Sequence, residues 1–308
     1  MRVVVTGAGG FIGRALVEAL AKEGDHEIIA VDTVAAPGPV PANTTWLVGD
    51  IVNPEFVAHI FAQACDALVH LATVPGGAAE EYRALAQRVN LDATLALLEA
   101  IRTNPIPPRV VFASSISVYG ELPDALVDDE TPSVPVMIYG AHKAMAETWV
   151  ATLTRRSEID GLSLRLPGIV ARPRAPSGMK SAFMSNLFHA AKNDEAFTSP
   201  VSPAATMWLM SRSRVVQNLC RALTLDTSGL PSCRALTLPN IRAGMRDLVA
   251  AVSREAGCAP DFVRYAPDQV LEAAFGRQPE HALKRASEFG FVDDESIKEL
   301  VANAFSCL

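Results

Sequence analysis

The 308-residue chain has no uninterrupted apolar run near the ~18 residues that span a membrane, no basic run, no C-x-x-C pair and no histidine pair at metal-ligand spacing. Each absence excludes a class of function. Without an apolar span there is no membrane partner to expect. With a net charge of −7 and no basic-aromatic interleaving, nothing tracks a phosphate backbone, so no nucleic-acid partner is expected either. The five cysteines, Cys65, Cys220, Cys233, Cys258 and Cys307, are odd in number and scattered. They provide no disulfide framework and read as reduced thiols of a cytoplasmic protein. His70 lies in an apolar strand pattern and His142 between Tyr139 and Lys143, so no zinc or other metal site is expected. The strand pattern begins at residue 3, and no signal segment is expected ahead of it. What remains is 49% hydrophobic and 20% charged, enough for the core of one large α/β unit with a smaller lobe.

That unit announces itself at once. Val3–Thr6 is a short β-branched run that leads into Gly7-Ala-Gly-Gly10-Phe11-Ile12-Gly13 and then into an amphipathic stretch, Arg14 to Lys22. In this strand, glycine turn and helix, Gly7 permits the tight turn, Gly10 lets backbone approach a pyrophosphate and Gly13 allows the helix to pack close to the strand. The helix N-terminus favours phosphate charge. A second apolar run, Glu27–Val31, ends in Asp32, nineteen residues beyond Gly13, where an acidic side chain meets the adenosine ribose. A carboxylate there repels a 2′-phosphate, and Thr33–Ala36 brings no arginine, so the expected cofactor is NAD rather than NADP.

Tyr139-Gly-Ala-His-Lys143, preceded by Ser114-Ser115, supplies a phenol, an ammonium and a hydroxyl donor, a set able to take a proton from an alcohol. A phenol titrates near ~10, so a tyrosine base at neutral pH needs roughly three units of depression, about 4 kcal/mol. Lys143 stands one helical turn away on the same face and can supply it by opposite-charge attraction. Ser115 then holds the substrate oxygen.

Strands are expected at 3–6, 27–31, 45–48, 67–71, 109–113 and 162–166, with helices near 11–23, 54–64, 80–102 and 137–157. This alternation predicts an α/β fold, a doubly wound (Rossmann) parallel sheet with a small C-terminal substrate-binding lobe. Residues 1–172 would bind the dinucleotide, with 205–240 returning to the same unit. Residues 173–204, which carry Pro173, Pro176, Pro200 and Pro203, would join 241–308 in the lobe over the site.

With these residues in place, the chain resembles the extended short-chain dehydrogenase/reductase family over essentially its whole length. The motifs follow in order: the glycine turn, Asp50-Ile51, His70-Leu71-Ala72, Val89-Asn90 at an expected helix start, Ser115, Asp129-Glu-x-Pro132-x-x-Pro135, and Tyr139 with Lys143. The resemblance implies that Ser115, Tyr139 and Lys143 are catalytic. It places Gly7, Gly10, Phe11, Ile12, Asp32, Asn90 and Pro167 in the cofactor site, with Asp50 and Ile51 at the adenine. Leu71, Ala72 and Thr73 would line the cleft, and Lys143 would bind the nicotinamide ribose beside Tyr139. It also implies a homodimer through the 80–102 and 137–157 helices.

Within that family, nucleotide-sugar epimerases usually carry an Arg-x-x-Asn-Val-Tyr-Gly-Pro type segment after the sixth strand. Here the segment is Arg165-Leu-Pro167-Gly168-Ile-Val-Ala-Arg172-Pro173, without the asparagine. Its Pro-Gly form resembles the short-chain threonine dehydrogenases and, more closely, the D-erythronate dehydrogenase branch. That likeness extends through Ser181-Ala-Phe183, Trp208–Asn218 and Leu238–Ala251, and it implies oxidation of the C2 hydroxyl of a small hydroxy acid. Thr73, Ser115 and Tyr139 would then meet the substrate, and Arg174, Ser177 and Lys180 would supply donors for its carboxylate. A nucleotide-sugar epimerase using the same residues and a non-catalytic NAD sensor of the same fold stay open as alternatives.

Overall fold

The structure, a computed structural model, describes residues 1–122, 126–174 and 180–308, the side chain of Lys180 excepted. The main sheet is built from β1 (Arg2–Thr6), β2 (Glu27–Asp32), β3 (Thr44–Val48), β4 (Ala67–His70), β5 (Arg109–Ser115), β6 (Asp160–Leu166) and β7 (Ala235–Thr237). Their order is β7-β6-β5-β4-β1-β2-β3, and the β1–β2, β1–β4, β2–β3 and β4–β5 pairs are parallel. This is the doubly wound sheet that the alternating pattern predicts. The central strands read as continuous apolar runs because both faces are covered: Val3, Val4, Val5, Ile28 and Val31 are fully buried. Each such side chain contributes about 1.5–3 kcal/mol of burial.

Between the strands lie α1 (Phe11–Glu23), α2 (Pro54–Ile60), α3 (Gly76–Glu81), α4 (Arg83–Ala86), α5 (Ala93–Ile101) and α6 (Ile138–Arg155). The expected 80–102 helix is interrupted. It breaks at Tyr82 and winds as a π-helical turn over Gln87–Asp92 before α5. Asn90, expected at a helix start, lies inside that turn.

The chain divides into two compact units. The first comprises Met1–Gly120, Ser133–Arg165 and Val216–Leu236 and holds the main sheet, with Val4, Ile29, Leu68, Val110, Leu97 and Val150 in one cluster. The second comprises Glu121–Pro132, Leu166–Val215 and Thr237–Leu308. Its three-stranded sheet has Thr206–Ser211 in the middle, parallel to Gly168–Val170 and antiparallel to Ile241–Gly244. Phe183, Leu187, Phe188, Leu209, Met245 and Leu248 form its core. Asp294, fully buried, accepts from Ser211 N–H at 2.8 Å, Ser211 Oγ at 2.6 Å and Asn303 Nδ2 at 2.8 Å, so the buried charge is stabilised by several donors. Among the described residues, no helix is long and apolar enough to cross a membrane, and no group of His, Cys, Asp and Glu could hold a metal ion. The five cysteines are free.

Candidate active site

Strand order reverses between β1 and β4, and the carboxyl ends of strands at such a switch point are where open α/β sheets bind ligands. Thr6-Gly7 leaves β1 there and His70-Leu71 leaves β4, joined by Leu71 N–H donating to Thr6 O at 3.1 Å. Gly7 has φ +71°, and a Cβ on it would lie 2.7 Å from Ala72 N. A Cβ on Gly13 would lie 2.1 Å from Gly7 O. Neither position admits another residue without backbone movement. Phe11 and Ile12 open α1, whose N-cap, Gly10, offers no side-chain cap. A helix N-terminus at this place favours negative charge by its dipole.

At the end of β2, Asp32 Oδ2 accepts from Gly9 N–H at 2.9 Å and Oδ1 from Val34 N–H at 3.3 Å. The carboxylate is thereby fixed beside the glycine turn. Asp50 is exposed and its Oδ1 accepts from Val52 N–H at 2.9 Å, holding the turn before α2, while Ile51 is buried. Asn90 is buried and grips the loop after β4. Its Oδ1 accepts from Thr73 Oγ1 at 3.0 Å and Val74 N–H at 2.7 Å, and its Nδ2 donates to Val74 O at 2.9 Å. A glycine cradle with no room for side chains and an acidic residue held at the next strand end fit NAD.

The three residues expected to catalyse lie on β5 and α6. Lys143 is 2% exposed, and its Nζ donates to Ala113 O at 2.7 Å, lies 4.6 Å over the Phe112 ring and sits 5.6 Å from the centre of the Tyr139 ring. Burial pushes the lysine down to about 7, with Glu147 opposing the shift. Ser115, two residues past Ala113, caps a short 3₁₀ turn over Ile116–Tyr119 through Ser117 N–H at 3.1 Å. Tyr139 is in the first turn of α6, where Glu80 Oε1 accepts from Ile138 N–H at 2.6 Å. Gly76 packs against it: a Cβ there would lie 3.9 Å from Tyr139 Cδ1. The phenol, the ammonium and β5 are thus assembled on one side of the first unit, an arrangement able to accept a proton from an alcohol.

Two groups around this site were not singled out as functional from sequence. His70 Nδ1 bonds Thr6 Oγ1 at 2.6 Å and its Nε2 bonds Thr94 Oγ1 at 2.8 Å, while the ring stacks on Phe112. Burial, with a smaller contribution from Lys143, brings His70 down to about 3, so the ring is neutral and serves as a brace. Glu147, one turn beyond Lys143, pairs with Arg165 and Ser114. The repeated four-residue spacing of Tyr139, Lys143 and Glu147 was the available signal.

Other expected residues belong to the second unit. Pro167 is buried between β6 and Gly168–Val170. The Arg174 guanidinium pairs with Glu195 at 2.5 Å, both side chains being over two-fifths exposed. Ser177 and the Lys180 side chain lie outside the described residues.

Comparison with known proteins follows the same lines. The model of the NAD dependent epimerase/dehydratase family matches residues 3–208. A D-erythronate dehydrogenase from Cupriavidus necator is 33% identical over 98% of this chain and 97% of its own, and one from Haemophilus influenzae is 28% identical over 98% of each. Among solved structures, a nucleoside-diphosphate-sugar epimerase from Agrobacterium tumefaciens superposes with a TM-score of 0.90 at 29% identity, covering 98% of this chain and 92% of that one. A GalE-like L-threonine dehydrogenase from Cupriavidus necator shares the fold, with a TM-score of 0.86 at 22% identity over the whole of both chains.

Proposed function

The chain belongs to the NAD-dependent epimerase/dehydratase family, and from that premise we propose that it oxidises the C2 hydroxyl of D-erythronate to the 2-oxo acid. It is an NAD-dependent dehydrogenase acting on a CH–OH group. The observation that carries the substrate is the full-length likeness to two D-erythronate dehydrogenases. The absence of the epimerase-type asparagine from Arg165–Pro173 supports it.

The cradle of Gly7, Gly10, Phe11, Ile12 and Asp32 would hold NAD, with Leu71, Ala72 and Thr73 along it, Asp50 and Ile51 at the adenine, and Asn90 and Pro167 completing the set. When bound, NAD supplies the hydride acceptor for C2. The chain's own residues handle the proton. Ser115 Oγ orients the substrate hydroxyl, Tyr139 Oη as phenolate takes its proton, and Lys143 favours that phenolate by its charge. The substrate carboxylate is assigned to the 174–180 segment, with Arg174, Ser177 and Lys180 as donors.

An initial-rate screen of NADH formation tests this reading across three- to six-carbon hydroxy acids, the matching neutral polyols, L-threonine and UDP-galactose. D-erythronate should be the preferred substrate, and Arg174→Ala should raise its KM by roughly tenfold. Polyols as efficient as the acids would sink the hydroxy-acid assignment. UDP-galactose converted to its epimer without net NADH would favour the epimerase reading.

We further infer a homodimer that covers the exposed large apolar side chains Tyr82 and Leu85 around α4 and Met145 and Trp149 on α6. Sedimentation equilibrium should give twice the chain mass, and Trp149→Glu should lower it towards the monomer. A wild-type monomer at micromolar concentration would refute the dimer.

A further inference from the structure

We infer that Glu147 is a positioning residue for the reaction, holding Lys143 in its charged form and fixing the end of β5 that carries Ser115. The inference rests on Tyr139 acting as the base, as proposed above. Tyr139, Lys143 and Glu147 succeed one another at four-residue spacing along α6, so Glu147 stands one turn behind the ammonium on the same face. Its carboxylate is 7% exposed and saturated with donors. Ser114 Oγ donates to Oε1 at 2.5 Å, Arg165 Nε to Oε1 at 3.0 Å and Arg165 Nη2 to Oε2 at 2.8 Å. Arg165, on β6, also donates to Ser133 Oγ at 2.9 Å and lies over the Tyr119 ring at 5.0 Å.

The last residues of β5 are therefore engaged in succession from α6. The Phe112 ring lies under the ammonium, Ala113 O accepts from it, and Ser114 is held by Glu147. Ser115 follows directly.

Lys143 is faced by groups from three elements. On α6 these are Tyr139 and Glu147. On β4 it is His70, which is neutral, and on β5 the Phe112 ring and a carbonyl oxygen. Arg165 and Tyr119 stand behind Glu147, and Asp92 and Glu80 act on His142 instead. A buried ammonium with one carbonyl partner is costly, and burial already pushes Lys143 down to about 7. Glu147 is the carboxylate that opposes this loss. Arg165 and Ser114 hold that carboxylate in place. A neutral Lys143 would give the phenolate no opposite charge, so removing the Glu147 charge should cost rate through Lys143.

With Glu147 neutral, Lys143 releases its proton at lower pH, so the alkaline limb of kcat moves to lower pH and the plateau falls. A purely structural role would lower the plateau without displacing the limb. The direct measurement is a titration of Lys143 by 13C NMR of enzyme labelled at the lysine Cε, assigned with Lys143→Arg and needing no substrate. Glu147→Gln keeps the shape of the site and should lower the midpoint by about one unit, with kcat falling roughly tenfold and NAD affinity held within about twofold. Ser114→Ala leaves the charge in place and should leave the midpoint where it is.

A midpoint in Glu147→Gln that matches the wild type overturns the inference, as does an equal shift in Ser114→Ala. Should Glu147→Gln fail to fold because Arg165 is left unpaired, Glu147→Gln/Arg165→Gln removes both charges and should still lower the midpoint, because Glu147 and not Arg165 opposes the lowering of Lys143. If D-erythronate is not oxidised while the midpoint shifts as stated, only the substrate assignment fails. An unmoved rate profile for whichever alcohol is turned over would instead refute the positioning role of Glu147.

Discussion

Tyr139→Phe should lower turnover by about 100-fold or more while leaving NAD binding within about twofold of wild type, because proton transfer by a positioned base contributes on that scale. The substitution removes one oxygen and keeps the ring that packs beside Gly76. It also leaves Lys143 in place, since the ammonium is held by Ala113 O and the Phe112 ring. Steady-state kcat from NADH absorbance and a fluorescence titration with NAD read the two quantities separately. A variant that keeps more than roughly a tenth of the wild-type turnover would exclude Tyr139 as the base.

Asp32→Ala should narrow the preference for NAD over NADP by about 100-fold, read as the ratio of kcat/KM for the two cofactors. A carboxylate beside a 2′-phosphate is repulsive, and Asp32 is tied to the glycine turn by Gly9 N–H and cannot swing aside freely. The change removes that repulsion together with the favourable partner of the 2′-hydroxyl, so most of the effect should come from poorer use of NAD and some from better use of NADP. Equal efficiency of the wild-type enzyme with both cofactors would show that Asp32 does not face the ribose.

The main sheet was legible because its strands are β-branched runs punctuated by glycine, aspartate and proline, and because the glycine turn and Asp32 constrain each other at a fixed separation. The pairing of the later short strands was not. Thr206–Ser211 and Ala235–Thr237 are similar apolar segments, yet one joins Gly168–Val170 and Ile241–Gly244 and the other closes the main sheet beside β6. That choice is made by tertiary partners. In the candidate site, Tyr139 and Lys143 could be read from helical spacing alone. The grip of Asn90 on Thr73 and Val74, seventeen and sixteen residues away, could not. Nor could the Glu147 pairing, which draws Ser114 from 33 positions before and Arg165 from 18 after. Such links depend on which strands become neighbours, and no local pattern encodes that.

The π-helical turn over Gln87–Asp92 carries a lesson about length rather than chemistry. A π turn is an α-helix with one residue too many, and each residue of an α-helix advances it by about 100°. The surplus residue bulges out between α4 and α5, and Asn90 holds the loop after β4 from within that bulge. Deleting one residue between 87 and 92 would let the helix wind regularly with its flanks little turned, and it would remove the bulge from which the asparagine reaches its loop. The segment should therefore accept changes in the kind of residue far more readily than a change in their number, and its length is as much a part of the hold on the loop after β4 as the asparagine itself.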